Sequence, residues 1–156
     1  MVNKNWIFIL PVLVVIADRL SKLAVLNNIS AGAKLTIVPG LLYFTNINNT
    51  GTVFGLFSGM NLLFVLVNIF VLALVAVYFY KTKEQTIKVL LALVFGAAIG
   101  NLIDRIVYGH VVDFIRLSFY PPVFNVADSV LTVCIVWFAV YLLVNENKNK
   151  KKIKKK

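Results

Sequence analysis

Hydrophobic residues recur along the chain in four long blocks that are separated by polar or mixed segments. The blocks cover about residues 6–26, 62–80, 86–103 and 123–144. Each block is close to the roughly 20 residues that a helix needs to cross the hydrocarbon layer of a bilayer. The pattern therefore predicts four transmembrane helices.

The segment between the first two blocks, about residues 27–59, has a different pattern. Lys34–Val38 and Leu41–Ile47 are typical of two strands, and Pro39-Gly40 between them predicts a turn. Val53–Phe57 further on predicts a short amphipathic element at the membrane surface. The predicted fold class is an all-α membrane protein of four helices with a small β-hairpin platform.

Composition supports a membrane protein of one domain. The chain has 156 residues, of which 60% are hydrophobic and 14% charged. The mean hydropathy is +0.89. A soluble fold of this size leaves much of its surface in water and cannot hide so many apolar side chains. The bilayer is therefore the expected solvent for most of the chain.

The positive charge of the chain lies mostly in its last twelve residues. The net charge is +10, and Asn145–Lys156 contributes seven Lys and one Glu, which is +6. This Lys-rich tail, residues 145–156, has neither aromatic residues nor a folded basic face, so nucleic acid is not an expected partner. Lys4, Lys81, Lys83 and Lys88 fall on the same side as the tail in a four-pass layout. The positive-inside rule then predicts that both termini are cytoplasmic, with residues 27–59 and 104–122 facing outward.

Four of the six acidic residues are Asp near predicted outward helix ends. An Asp in a spanning helix costs about 2.5–3.5 kcal/mol at mid-bilayer, so such residues are retained for partners or function. Polar residues three or four apart also share a helix face on three of the helices. The pairs are Asp18 with Lys22, Asn101 with Arg105, and Asn125 with Asp128. We expect these polar faces to meet in one site.

The choice of chemistry at this site is narrowed by the residue types present. His110 is the only His and Cys134 the only Cys, which disfavours a metal site. Two carboxyl groups in a low-dielectric site share one proton, so one can accept a proton from water while the other polarises a peptide carbonyl. Asp113 and Asp128 fit this role, which indicates a peptidase that needs no metal.

A different class of function remains open from these residues alone. A small proton- or ion-coupled transporter also uses intramembrane carboxylates. Such transporters usually have repeated halves or broken helices, and no repeat is visible here. A flux assay in liposomes would distinguish the two.

Five separated motifs resemble those of the bacterial lipoprotein signal peptidases (signal peptidase II), in the order of that family. The resemblance extends from Asp18 to Ser129. The motifs are Asp18-x-x-x-Lys22; Asn49-Thr50-Gly51 with Phe54-Gly55; Gly100-Asn101-x-x-Asp104-Arg105; Val111-Val112-Asp113-Phe114; and Phe124-Asn125-x-Ala127-Asp128-Ser129. This sequence departs from the family pattern at three places. Arg19 stands where Gln is more usual, Thr52-Val53 replace the small residues common after the Asn-x-Gly motif, and the interval from Asp113 to Asp128 is short for the family.

The resemblance implies an aspartic endopeptidase of the bacterial plasma membrane, with its active site toward the outer face. Its substrates would be prolipoproteins that carry a diacylglyceryl group on the lipobox cysteine, cleaved just before that cysteine. It also implies membrane lipid and globomycin-type inhibitors as partners, no cofactor, and a monomer. The implied catalytic residues are Asp113 and Asp128, and the implied supporting or binding residues are Asp18, Lys22, Asn49, Gly51, Asn101, Arg105 and Asn125.

Several polar residues allow a structural interpretation as well as a functional one. We interpret Asp18 and Lys22 as an ion pair that orients the first helix. Asn68 is expected to form a hydrogen bond to a neighbouring helix. Asn49 fits a turn that bonds backbone, although a substrate contact is open. Arg105 is expected either to lie at the lipid head groups or to bind the substrate.

Overall fold

The structure is a computed structural model that describes residues 4–51 and 59–153, with side chains described to residue 146. The predicted Val53–Phe57 element and the Phe54-Gly55 motif lie outside these residues. A short 3-10 helix at Lys4–Phe8 leads into the first long helix. The elements that follow in chain order are α1 (Ile9–Asn28), β1 (Lys34–Val38), β2 (Leu42–Asn49), α2 (Asn61–Lys81), α3 (Gln85–Val107), β3 (Val111–Leu117), β4 (Tyr120–Phe124) and α4 (Val126–Ile153).

Three helices within the described ranges are long and apolar enough to cross a membrane. They are α2, α3 and the Val126–Glu146 part of α4. Helix α1 has 20 residues, which corresponds to about 30 Å at 1.5 Å per residue. It differs from the other three because Asp18, Arg19 and Lys22 interrupt its apolar sequence. Composition thus identifies three of the four predicted spans.

Helix α3 lies at the centre and packs against α1, α2 and α4. Two glycines let α1 approach it closely. A Cβ atom at Gly96 would lie 2.7 Å from the Cα atom of Pro11, and one at Gly100 would lie 2.6 Å from Oδ2 of Asp18. On the other side, Asn68 Nδ2 of α2 donates to the carbonyl oxygen of Ala98 at 3.2 Å, which confirms the predicted interhelix bond.

The predicted hairpin is present between β1 and β2. The backbone N–H of Leu41 donates to the carbonyl oxygen of Val38 at 3.1 Å. Gly40 has φ +75°, a value that glycine adopts at low cost, and Pro39 before it fixes the preceding φ, as in a type II turn. The Pro39-Gly40 turn and both strands are therefore confirmed to within two residues.

The sheet is larger than the predicted hairpin, and in this respect the all-α prediction was wrong. The strands form one antiparallel sheet in the order β1-β2-β3-β4. No strand was predicted in the outward segment 104–122, which contains β3 and the first three residues of β4. Val111–Phe114 is buried on both faces, so β3 lacks the alternation that marks a half-buried strand. Pro121 and Pro122 are tolerated because β4 is an edge strand.

The bounds of three helices also differ from the prediction. Helix α1 continues two residues beyond position 26, and α3 continues four residues beyond 103, which places Asp104 and Arg105 inside the helix. Helix α4 begins at Val126 instead of 123 because residues 120–124 belong to β4. It runs on to Ile153, since Lys and Glu in the predicted tail 145–156 are good helix formers.

Candidate active site

A buried cluster of four charges joins α1 to α3. Lys22 Nζ lies 2.7 Å from Asp18 Oδ2 and 2.8 Å from Asp104 Oδ2. The guanidinium of Arg19 pairs with Asp104 Oδ1. The side chains of Asp18, Lys22 and Asp104 are fully buried and that of Arg19 is 18% exposed, so two cations and two anions compensate one another in a site that water reaches only at Arg19. The predicted Asp18–Lys22 ion pair is confirmed.

The same carboxylates hold neighbouring elements in place. Asp104 Oδ2 accepts the backbone N–H of Val112 at 3.1 Å, which ties the start of β3 to α3. Asp18 Oδ1 accepts the backbone N–H of Ala127 at 3.0 Å, in the first turn of α4. A carboxylate is favourable there because helix N-termini carry unpaired N–H groups and positive potential. The cluster therefore fixes four elements relative to one another.

Asp104 is a site residue that the sequence reasoning did not select. It was noted among the outward aspartates and inside a motif, but it received no role. Its distance of three positions from Asn101 was the available signal, because residues three apart share a helix face. Its partners Lys22 and Arg19 come from another helix, and the spacing along one helix cannot indicate them.

Asn101 links this cluster to Asp128. Its Oδ1 accepts from Lys22 Nζ at 3.0 Å, and its Nδ2 donates to Asp128 Oδ1 at 2.9 Å. Its Oδ1 also accepts from Asn125 Nδ2 at 3.1 Å. Every hydrogen bond of this side chain therefore points to a residue that the sequence reasoning had placed at the site.

Asn125 lies at the junction of β4 and α4 and contacts both aspartates. The backbone N–H of Asp128 donates to Asn125 Oδ1 at 2.9 Å, and the backbone N–H of Asn125 donates to Asp128 Oδ2 at 3.3 Å. This reciprocal pair is a capping box for α4. Because the cap uses the amide oxygen, the amide nitrogen faces the other way and donates to Asp113 Oδ1 at 2.7 Å.

Asp113 lies on β3 and is only 2% exposed. Asn49 of β2 donates to its Oδ2 at 2.7 Å, and Asn125 donates to its Oδ1. Burial, followed by repulsion from the carboxylate of Asp128, raises the pKa of Asp113 to about 7. A carboxyl group with such a pKa is half-protonated near pH 7, whereas an ordinary Asp is ionised there.

Asn49, Gly51 and Arg105 form the rim on the β2 side. The backbone N–H of Gly51 donates to Asn49 Oδ1 at 3.0 Å, which confirms the predicted turn contact. Arg105 Nη2 donates to the carbonyl oxygen of Gly51 at 3.0 Å, and its guanidinium lies 4.5 Å from the ring centre of Phe64. Arg105 Nη1 is buried and has no hydrogen-bond partner among the described residues. Of the two alternatives for Arg105, this geometry favours contact with a ligand in the site over contact with lipid head groups.

Asp113 and Asp128 line one cavity of about 680 Å³. Its polar end combines the two carboxyl groups with the amides and guanidinium described above. The rest of its wall is mainly apolar and comes from β3, β4 and the first turns of α4. The apolar lining residues are Val111, Leu117, Tyr120, Pro122, Val123, Phe124 and Leu131. The predicted convergence of polar residues from separate elements in one site is confirmed.

The arrangement has the parts of an acid–base pair. One carboxyl group is protonated near neutral pH, a second carboxyl group shares its cavity, and amide N–H donors contact both. The protonated group can donate to a carbonyl oxygen while the ionised group accepts a proton from water. No nucleophilic side chain is required for such a step.

Comparison with known proteins finds relatives that match most of the chain. The family model described as signal peptidase (SPase) II matches residues 10–144. The chain is 34% identical over 148 residues to the lipoprotein signal peptidase of Listeria monocytogenes serotype 4a, covering 92% of this chain and 96% of the relative. It is 40% identical over 144 residues to the lipoprotein signal peptidase of Lactobacillus johnsonii, covering 90% and 94%.

Two solved structures have the same fold. Both are of bacterial membrane enzymes determined by the in meso method, at 2.3 Å and 1.9 Å. The first has a TM-score of 0.85 and 31% identity, covering 93% of this chain and 92% of that one. The second has a TM-score of 0.80 and 32% identity, covering 90% and 94%. Sequence and fold agree that the chain belongs to the signal peptidase II family, the lipoprotein signal peptidases.

Proposed function

We propose that this protein is an aspartic endopeptidase that removes the signal peptide from diacylglyceryl-modified prolipoproteins, with Asp113 and Asp128 as its catalytic pair. The cut would fall just before the lipidated cysteine. The observation that carries the proposal is the meeting of two carboxyl groups from β3 and α4 in one cavity, each held by amide donors. Membership of the family supports the substrate class.

Different roles for the two aspartates follow from their surroundings. Asp113, whose pKa is raised to about 7, is the acid that protonates the carbonyl oxygen of the scissile peptide. Asp128, bonded to the Asn101 amide that Lys22 contacts, is the base that takes a proton from the attacking water. The tetrahedral intermediate collapses when Asp128 passes that proton to the leaving nitrogen and Asp113 recovers its own.

The cavity suggests how the substrate lies. Its apolar wall suits the signal helix and the lipid chains, and its polar end suits the scissile peptide. Arg105 Nη1, which lacks a partner among the described residues, is available to a substrate carbonyl. Asn49 and Gly51 would form the opposite rim, and Asp18, Lys22, Asn101 and Asn125 would support the pair. A globomycin-type inhibitor would occupy the same space.

We further propose that the protein is a monomer in the bacterial plasma membrane, with four spanning helices and cytoplasmic termini. The sheet and the catalytic pair then face outward, where the lipobox of a translocated precursor lies. The lysines of the α2–α3 connection and of the C-terminal helix support this orientation.

The catalytic proposal is tested by Asp113→Asn and Asp128→Asn in purified protein. Each should lower the rate of precursor cleavage by about a thousandfold, because an amide can neither donate the acidic proton nor accept one from water. Glu84→Gln is the matched control, since Glu84 is an exposed carboxylate at the other end of the bundle. Thermal unfolding should show that all three variants remain folded. Full activity in both Asp variants would refute the proposal that Asp113 and Asp128 are catalytic.

The substrate class is tested with two precursors that differ only in lipidation. We expect cleavage of the diacylated precursor and none of the non-lipidated one, because the latter lacks the acyl chains whose contacts with the apolar wall would help to position the scissile bond. Equal cleavage of both would refute the proposed substrate. Proton or ion flux through liposomes that contain the protein would instead favour the transporter.

A further inference from the structure

Lys22 makes one contact more than a structural ion pair requires. Its ammonium group forms ion pairs with Asp18 Oδ2 at 2.7 Å and Asp104 Oδ2 at 2.8 Å, and it donates a hydrogen bond to Asn101 Oδ1 at 3.0 Å. The first two contacts join α1 to α3. The third reaches the amide that touches Asp128, so it calls for a separate explanation.

The chemistry of these groups fixes the orientation of the Asn101 amide. An ammonium group donates and cannot accept, so it must face the amide oxygen. The NH₂ end of Asn101 must then face Asp128, where it meets Oδ1 at 2.9 Å. Asn125 reinforces the orientation, since its Nδ2 also donates to Asn101 Oδ1. In the opposite orientation the amide oxygen would face the carboxylate, and two acceptors would oppose each other.

The net charge of the cluster does not account for this contact. Asp18 and Asp104 balance Lys22 and Arg19, so the field of the four charges largely cancels beyond their immediate surroundings. The influence of Lys22 on the aspartate is therefore carried by the directional bond through the amide. Lys22 and Asn125, the two donors to Asn101 Oδ1, are themselves fully buried, so the orientation of the amide is set by protein groups on that side.

We infer that Lys22 is a positioning residue for catalysis: it holds Asn101 with its NH₂ toward Asp128 and thereby keeps the Asp128 carboxylate aimed at the attacking water. The inference rests on the proposed function and deepens it. Asp18 and Asp104 hold the ammonium group at the required point. The ion pair is in this view a part of the catalytic apparatus and not only a link between helices.

The test requires a variant that removes the donor and keeps the fold. Lys22→Met alone leaves two buried carboxylates with one cation, a change that often unfolds a protein. The double variant Asp18→Asn/Lys22→Met keeps the remaining charges balanced, because Asp104 and Arg19 still pair. An Asn at position 18 also keeps an oxygen for the N–H of Ala127. Thermal unfolding identifies which variants are folded.

Arg19→Gln is the matched control. It removes the other cation of the cluster, but Arg19 contacts Asp104 and Tyr108 and does not contact Asn101 or either catalytic carboxylate. Like Lys22→Met it leaves one cation beside two carboxylates, but the Arg19 side chain is 18% exposed, so water can reach the place it leaves, and thermal unfolding checks that the variant is folded. We expect the double variant to lose about 30-fold or more in kcat with KM within about twofold, because ground-state contacts to the substrate are unchanged. The control should keep kcat within about threefold. A loss confined to KM, or an equal kcat loss in the control, would overturn the inference.

A second arm asks whether Lys22 acts through Asn101. In an Asn101→Ala background, measured in single turnovers with enzyme in excess, adding Asp18→Asn/Lys22→Met should lower the rate by less than about threefold, since the bond to be lost is already absent. Rate losses that multiply in full would overturn the inference. If Asp113→Asn and Asp128→Asn are inactive while the double variant keeps wild-type kcat, only this inference fails. If those two Asp variants are active, the proposed function fails first.

Discussion

At the scale of single residues, the site depends on one carboxyl group that keeps its proton near neutral pH. Asp113 is buried beside Asp128, and the two effects raise its pKa to about 7. The hydrogen bond from Asn49 acts in the opposite direction, because an N–H donor stabilises the ionised form. The protonation state of Asp113 therefore reflects a balance that a single substitution can change.

This balance predicts the pH dependence of cleavage. Asp113 is protonated below its pKa and ionised above it, so kcat/KM, which reports the groups of the free enzyme, should fall as the pH rises through about 7. Asn49→Ala removes a donor that lowers the pKa, so the alkaline limb should move to higher pH. Rate profiles from pH 5 to 9 on diacylated precursor measure both. An alkaline limb that Asn49→Ala leaves in place, or moves to lower pH, would contradict the prediction.

Pairs within one helix were predictable from the sequence, whereas pairs between elements were not. Asp18 and Lys22 are four positions apart, and helix geometry alone brings them together. The bonds from Lys22 to Asp104 and from Asn49 to Asp113 join residues of different elements. They depend on how α3 packs on α1 and on the register of β2 against β3. Neither the helix packing nor the strand register can be predicted from the spacing of residues along one element.

At the scale of elements, the junction between β4 and α4 determines where Asp128 points. Asn125 caps the helix with its oxygen and bonds Asp113 with its nitrogen. The cap fixes the side chain, and the fixed side chain then presents a donor to Asp113, the proposed catalytic acid. Under the proposed mechanism, stability and catalysis depend on opposite ends of one amide, and they can be separated by substitution.

Substitutions of Asn125 should separate these two roles. Asn125→Ser keeps an oxygen that can cap α4 but loses the donor to Asp113, so the protein should stay near wild-type stability with a large loss of kcat. Asn125→Ala loses both and should destabilise the protein by about 1 kcal/mol more. Thermal unfolding in detergent and single-turnover cleavage measure the two effects. Equal stability of the Ser and Ala variants would contradict the capping role.

The elements themselves were predictable where their pattern is local. Block length identified α2 to within one residue at each end, and Pro39-Gly40 identified the hairpin of β1 and β2. The strands β3 and β4 were missed because β3 is buried on both faces and β4 contains two prolines. Those features belong to the packed sheet, whose central strand lacks an alternating pattern.

At the scale of the whole molecule, α1 has charged residues in its sequence but presents an apolar outer surface. Asp18 and Lys22 are fully buried against other elements, and Arg19 pairs with Asp104. The opposite face of α1 is apolar and exposed. Its exposed residues are Ile9, Val12, Leu13, Ile16, Leu20 and Leu23. Lipid would therefore meet hydrocarbon side chains, and the paired charges avoid the cost of an isolated ion in the bilayer.

This surface predicts that α1 crosses the membrane, which places the N-terminus on the same side as the α2–α3 connection. Single cysteines in a Cys134→Ala background report the sidedness: Asn5→Cys before α1, Lys83→Cys between α2 and α3, and Ser118→Cys between β3 and β4. In intact bacterial cells an impermeant thiol reagent should label only Ser118→Cys, because the β3–β4 connection lies outside when all four helices span the membrane. Asn5→Cys and Lys83→Cys should react only after permeabilisation. If α1 instead lay on the outer surface, Asn5→Cys would react together with Ser118→Cys, and the chain would cross three times.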